Sequence, residues 1–359
     1  MGTANKKNRA EIALMNVLFC LLVIFIHVSS NPITNGDRKS WQYFFVFAPW
    51  KLAAFVVQGF IFLSGVKLFL NPKPHLNYKK FYLGRIKRVV LPYLLWVVIY
   101  YLYFCSRNYF PFSVSDLFGY ILRGDLVSHF YFVIVIVQFY ALMPFWRWLF
   151  SKTSPAVLLP ASLVLMLLFQ KWLPQMLETL FLGVSFPYND RLFTTYLFYW
   201  VAGCYVGLYY EAFTTMLKER LGSISVIFGI SLILNLLFSY LSVRRAQPMP
   251  WLEHLHVFYT ISAILFVFAL ALKPAGKRIA NIALVRGINR ASYNIYLSHC
   301  LFIFAVDEWM LERGIHGLFV TYLIRIATVY IGSVLCCMLY DGFKFTCKRI
   351  FAAKGDRHV

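Results

Sequence analysis

Ala10-Glu11-Ile12-Ala13-Leu14-Met15-Asn16-Val17-Leu18-Phe19-Cys20-Leu21-Leu22-Val23-Ile24-Phe25-Ile26-His27-Val28-Ser29-Ser30 is the stretch that decides the fold. It has one acidic residue near its start, one histidine near its end, and little between them that prefers water. The hydrocarbon core of a bilayer needs about 20 residues of helix to cross it, and this run supplies them. Lys6, Lys7 and Arg9 precede it as they would in a secretory signal. No small-residue cleavage site follows, so a retained first membrane helix is expected.

Nine similar segments follow: Tyr43–Leu70, Val89–Cys105, His129–Phe150, Ala156–Leu173, Phe193–Tyr210, Ile224–Leu241, Leu255–Leu272, Ala291–Leu311 and Leu318–Phe343. Lipid offers backbone polar groups no partner, so each such segment is expected to be a helix. The fold class expected is all-α, a polytopic transmembrane bundle of about ten helices. Residues 1–359 read as a single integral membrane domain with a cytoplasmic tail from about 344 to 359.

Composition agrees. Hydrophobic residues make up 60% of the 359 positions and charged residues only 14%, too few to cover a water-exposed surface. A net charge of +21 could suggest nucleic acid. The Lys and Arg residues cluster between apolar runs instead of forming one basic face, so no nucleic-acid partner is expected and the lipid bilayer is. Seven cysteines form no CxxC pair and no even-numbered framework, and most lie within apolar runs, where a free thiol packs as a small hydrophobe.

Alternation of the loops sets an orientation. With the N-terminus inside, 23 Lys and Arg residues fall on the cytoplasmic side, including Lys6, Lys7, Arg9, Lys73, Arg85, Arg88, Arg286, Arg290, Lys348, Arg349, Lys354 and Arg357; nine fall outside. This places both termini in the cytoplasm. Most acidic residues, such as Asp37, Asp125, Glu253 and Asp307, fall on or near the outer side. No internal repeat is visible, which weighs against a repeat-built transporter.

Ionisable groups are costly in lipid and are functional candidates there. His27 lies about 24 Å along its helix from Glu11, in the outer half of the membrane. Its imidazole has the basicity to take a proton from a hydroxyl, or it is a histidine hydrogen-bonded near the interface. His129 opens the fourth segment on the same side, and His299 lies mid-membrane on the ninth; either could be catalytic or could make a single interhelical hydrogen bond. No HxxxH or HExxH pair occurs, so no metal site is expected. Arg325, inside the tenth segment, needs an internal partner, for which Asp307 is a candidate.

Two further places bear on binding. Ser64 and Gly65 end the run Phe60-Ile61-Phe62-Leu63-Ser64-Gly65, read either as a small-residue helix contact or as a bare backbone edge beside a channel for a thin ligand. Arg85 and Arg88 sit in the densest basic cluster, three apart on one expected helix face. They could clamp phosphates or contact anionic lipid.

In order, the stretch from Glu11 to His27, the run ending at Ser64-Gly65, Phe81-Tyr82-Leu83-Gly84-Arg85-Ile86-Lys87-Arg88 with Pro92, and Ala291-Ser292-Tyr293-Asn294-Ile295-Tyr296-Leu297-Ser298-His299 resemble the acyltransferase family 3 of bacterial integral membrane proteins, which includes many sugar O-acetyltransferases. The resemblance covers nearly the whole chain. It implies that His27 is catalytic, and it matches Phe60, Ile61, Ser64, Gly65, Arg85 and Arg88 to family motifs. One departure stands out: Asn16 and Ala13 occupy the places, eleven and fourteen before the histidine, where the family usually has Arg and Asp. The arginine would be expected to work with His27, so another Arg substitutes, the activity is altered, or catalysis has been left behind.

The function this implies is transfer of an acyl group, expected to be acetyl, from cytoplasmic acyl-CoA to a hydroxyl of a cell-envelope carbohydrate, either lipid-linked or recognised by short outer loops such as Arg107–Leu126. Acyl-CoA is the donor substrate and no bound cofactor is expected. Arg85, Arg88, Ser64 and Gly65 would hold the donor. His27 would be the base, with His129 or His299 positioning groups, in a bacterial cytoplasmic (inner) membrane. The alternative is a non-enzymatic polysaccharide export component or transporter.

Overall fold

The computed structural model describes residues 9–72, 74–180, 183 and 186–355, with side chains to residue 344. Lys6, Lys7, Lys73 and Arg357 of the charge pattern lie outside the described residues. All regular structure among the described residues is helical. The chain forms two compact units, residues 1–56 with 214–359, and residues 57–213.

The first unit opens with α1 (Ala10–Val28), α2 (Ser30–Asn35) and α3 (Trp41–Ala53). The second holds nearly all of α4 (Val56–Phe69), then α5 (Tyr78–Arg85), a π-helical turn at Ile86–Val90, α6 (Leu91–Ser106), α7 (Val114–Arg123), α8 (Tyr131–Ala141), α9 (Met143–Lys152), α10 (Pro155–Leu180) and α11 (Leu197–Leu208). After α12 (Tyr210–Glu219) the first unit resumes with α13 (Leu221–Arg245), α14 (Leu252–Ala271), α15 (Pro274–Ala280), α16 (Ala283–Glu312) and α17 (Leu318–Gly355).

Seven helical stretches among the described residues are long and apolar enough to cross a membrane, and they coincide with seven of the expected segments. An eighth, from Tyr131 to Lys152, bends by 56° at Leu142, where Pro144 opens α9 and cannot donate to the preceding turn. The last two differ from expectation for separate reasons. Phe193–Tyr210 is a 3₁₀ turn followed by the 12-residue α11, short for a span. The ninth segment belongs to the 30-residue α16, about 45 Å long. Arg286, Arg290 and Asp307 on α16 dilute its apolar character.

α13 shows why the fold belongs in lipid. Its Val226, Ile227, Ile230, Ile233 and Leu237 face outward, while Ser231, Asn235 and Ser239 are buried. In water that pattern would be inverted. In lipid the apolar residues face acyl chains, and small polar residues join helices, as where Ser231 meets Ser262 of α14 at 2.6 Å between hydroxyls.

Candidate active site

The end of α1 is held from several directions within the first unit. A helix C-terminus leaves backbone carbonyls without intrahelical donors. Here Ser30 Oγ donates to the His27 carbonyl at 2.7 Å, and Arg325 Nη1 makes a long contact of 3.5 Å with the Val28 carbonyl. The guanidinium also favours the negative end of the helix dipole. Arg325 is bound to Asp307 by two parallel hydrogen bonds, Nε to Oδ1 at 2.8 Å and Nη2 to Oδ2 at 2.6 Å, the internal pairing expected for it. Ser29 Oγ meets the Tyr322 hydroxyl at 3.1 Å, and the Tyr330 hydroxyl donates to the Leu21 carbonyl.

His27 and His299 come together in this framework, with ring centroids 5.1 Å apart. His299 is fully buried, whereas His27 is half-buried. The Nδ1 atom of His299 lies 2.7 Å from the Tyr296 carbonyl oxygen. A carbonyl can only accept, so Nδ1 carries the proton and Nε2 the lone pair. The Cys300 thiol is 3.4 Å from that Nε2 and donates to it. Both nitrogens of His299 are therefore engaged, and the more accessible His27 is the better placed of the two to meet a substrate.

His27, His299 and Cys300 present three possible ligand atoms within 4.8 Å of one another, a set with the nitrogen and sulfur donors suited to zinc. The sequence expected no metal because it sought ligand pairs on one helix. This set joins residues 272 positions apart, and only folding brings them together.

Asn16 is absorbed by α16: its Nδ2 donates to Asn289 Oδ1 at 3.0 Å and to Ser292 Oγ at 2.9 Å. Nearer the start of α1, a cavity of about 520 Å³ is lined by Ala10, Ala13, Ala280, Asn281, Ala283, Arg286, Asn289 and Arg290. Beyond the other end of α1, an apolar cavity of about 480 Å³ is lined by Trp41, Tyr43, Asp37 and Gln42, among others.

The second unit holds the remaining sequence candidates. The Tyr140 side chain lies beside both Ser64 and Arg85. The Arg85 guanidinium lies 5.0 Å from the Tyr140 ring centroid and 5.1 Å from that of Phe81. Tyr140 was not a sequence candidate, since one tyrosine in an aromatic-rich helix gives no local signal. Arg85 ends α5, while exposed Arg88 sits in the π-helical turn. That turn is wider than an α-turn.

Gly65 resolves toward the packing alternative. A side chain there would lie 2.8 Å from the Trp200 carbonyl oxygen and 2.9 Å from the Cys204 nitrogen, so α11 occupies the bare backbone edge. Gly207 repeats the close approach one turn along α11, against Val66. His129 is buried in the turn before α8, beside Tyr100 and Phe130, and belongs to the second unit, whereas His27 and His299 belong to the first. Within the expected outer stretch 107–126, residues Val114–Arg123 form α7. There Asp125 accepts from Arg123 Nε at 2.7 Å, and this bond holds the guanidinium above its ordinary pKa.

The acyltransferase family 3 model, described as an acyltransferase domain, matches residues 9–341. No curated protein and no solved structure matches the chain. The match takes in both compact units and every element that carries the residues above. The protein therefore belongs to the acyltransferase family 3 and is a multi-pass membrane acyltransferase of the O-acyltransferase type.

Proposed function

We propose that this enzyme takes an acyl group, acetyl in the simplest case, from acyl-CoA at the cytoplasmic face of a bacterial inner membrane and transfers it to a hydroxyl of a cell-envelope carbohydrate. Both termini lie in the cytoplasm on this reading, which the excess of Lys and Arg in alternate loops supports. The two compact units act as one catalytic domain.

His27 is the general base. It removes the proton of the acceptor hydroxyl as that oxygen attacks the thioester carbonyl, and the C–O bond forms. Collapse of the tetrahedral intermediate breaks the C–S bond, and the His27 imidazolium returns its proton to the leaving CoA thiolate. His299 positions His27; its own lone pair is held by Cys300. His129 has a positioning role in the second unit.

Arg85, Arg88 and Ser64 bind the donor. Tyr140, beside both Ser64 and Arg85, shares in that site, while Gly65 sets the distance between α4 and α11. The acceptor enters by the cavity at Trp41, whose exposed indole can stack against the apolar face of a sugar while Asp37 and Gln42 meet its hydroxyls.

The observation that carries this reading is the pairing of half-buried His27 with fully buried, tautomer-fixed His299. Its test is acyl-CoA turnover by purified protein. Loss of turnover in His27→Ala with donor binding intact is expected; full turnover in that variant removes the assignment. If metal analysis of active protein finds a stoichiometric ion at His27, the general-base role must be abandoned.

A further inference from the structure

The cavity between the first turns of α1 and the start of α16 has no part in the chemistry above, yet its lining is selective. Arg286, Asn289 and Arg290 stand at i, i+3 and i+4 of α16, so they share one helix face, and all three line the cavity. Both arginines are exposed, and among the described residues no acidic side chain lines the space. From Lys273 to Val306 the sequence contains no Asp or Glu, while Lys273, Lys277, Arg278, Arg286 and Arg290 all fall in that interval.

The rest of the wall consists of Ala10, Ala13, Ala280, Ala283 and Asn281, which leave room close to backbone. Ala283 is also the first residue of α16, and Ile282 before it supplies no side-chain cap. The free amide groups of that first turn therefore add positive potential at the rim. A volume of about 520 Å³ is in the range of small-molecule sites. Two guanidiniums, an amide side chain and an uncapped helix start, without a carboxylate, suit a doubly charged tetrahedral anion.

We propose that this cavity is a phosphate-binding site, in which Arg286 and Arg290 grip the phosphate groups of a ligand entering beside Ala13. The ligand is either the nucleotide end of acyl-CoA or the headgroup of an anionic phospholipid. The first source rests on the donor proposed above; the phosphate chemistry does not.

The test uses the full chain in phosphatidylcholine nanodiscs for calorimetry of coenzyme A binding, and in phosphatidylcholine nanodiscs with added phosphatidylglycerol for native mass spectrometry of phosphatidylglycerol adducts. Three variants are compared with wild type: Arg286→Gln/Arg290→Gln, Ala13→Leu, which fills the cavity and keeps both charges, and Arg244→Gln/Arg245→Gln, which removes two exposed arginines elsewhere. Where the first variant does not elute as a single folded species, Arg286→Lys/Arg290→Lys replaces it, since it keeps charge and loses the fork; Ala10→Leu likewise replaces Ala13→Leu.

The site is supported as a nucleotide site if coenzyme A binding weakens about tenfold or more in the first two variants and not in the third. It is supported as a lipid site if coenzyme A binding is unchanged and phosphatidylglycerol adducts disappear in the same two. It is overturned if neither ligand responds to loss of Arg286 and Arg290, or if filling at Ala13 leaves binding intact, because the charges then act only as surface potential. Acyl-CoA turnover separates this from the proposed function. Adducts that depend on Arg286 and Arg290 in a protein without turnover would keep the site and remove the donor; unaltered turnover, affinity and adducts in the variants would do the reverse.

Discussion

His27 and His299 lie with their rings 5.1 Å apart, one half-buried and the other fully buried with its Nδ1 proton given to the Tyr296 carbonyl. The pair divides the work: a base must reach its substrate, and a neighbour whose nitrogens are both engaged can only orient it. Replacing His27 by Ala should lower the turnover number by about 100- to 10,000-fold, the usual worth of a general base. His299→Ala should cost less, and His299→Gln should recover part of that loss, because its amide can still donate toward the Tyr296 carbonyl. Equal losses in all three would mean that the pair is structural.

Arg325 and Asp307 form a bidentate pair whose guanidinium also approaches the last carbonyl of α1. Arg325→Leu should destabilise the protein by about 1–3 kcal/mol, since it leaves the partly exposed Asp307 without its counter-ion. Arg325→Leu/Asp307→Leu should regain much of this. Thermal unfolding in detergent reads both. A double variant no more stable than the single one would show that the carboxylate has adequate partners of its own.

The close crossing of α4 and α11 leaves no room for a side chain at Gly65. Gly65→Leu should reduce the yield of monodisperse protein, with an overpacking cost of about 1–3 kcal/mol. Full stability with a raised KM for acyl-CoA would instead return Gly65 to the donor channel.

The Tyr140 hydroxyl lies beside Ser64 and Arg85, so Tyr140→Phe should raise the KM for the donor several-fold with little change in thermal stability. Trp41→Ala should raise the KM for the acceptor and leave that for the donor alone. The comparison of the two KM values in each variant checks both assignments.

These relationships mark how far the sequence could be read. The apolar runs of α1, α13 and α14 were legible because a bilayer demands a long unbroken segment, and the bend at Leu142 had a local cause in Pro144. The true start of α16 at Ala283 was hidden by Arg286 and Arg290, which look like loop charges when hydropathy alone marks the helix. The π-helical turn at Ile86–Val90, between Arg85 and α6, had no visible signature. His27 stood out alone. That it would meet His299 and Cys300, and that Asn16 would bond to Asn289 and Ser292, depends on how α16 packs against α1, which no local pattern encodes. Arg325 found Asp307 as expected because few acidic residues lie within apolar segments.

The most direct test is acetyl-CoA consumption by purified protein, with a hydroxyl acceptor, in wild type, His27→Ala and Arg85→Gln/Arg88→Gln. Wild type should release free CoA thiol, His27→Ala should bind acetyl-CoA without consuming it, and the arginine variant should bind it weakly. Wild-type turnover undiminished by His27→Ala would contradict the account.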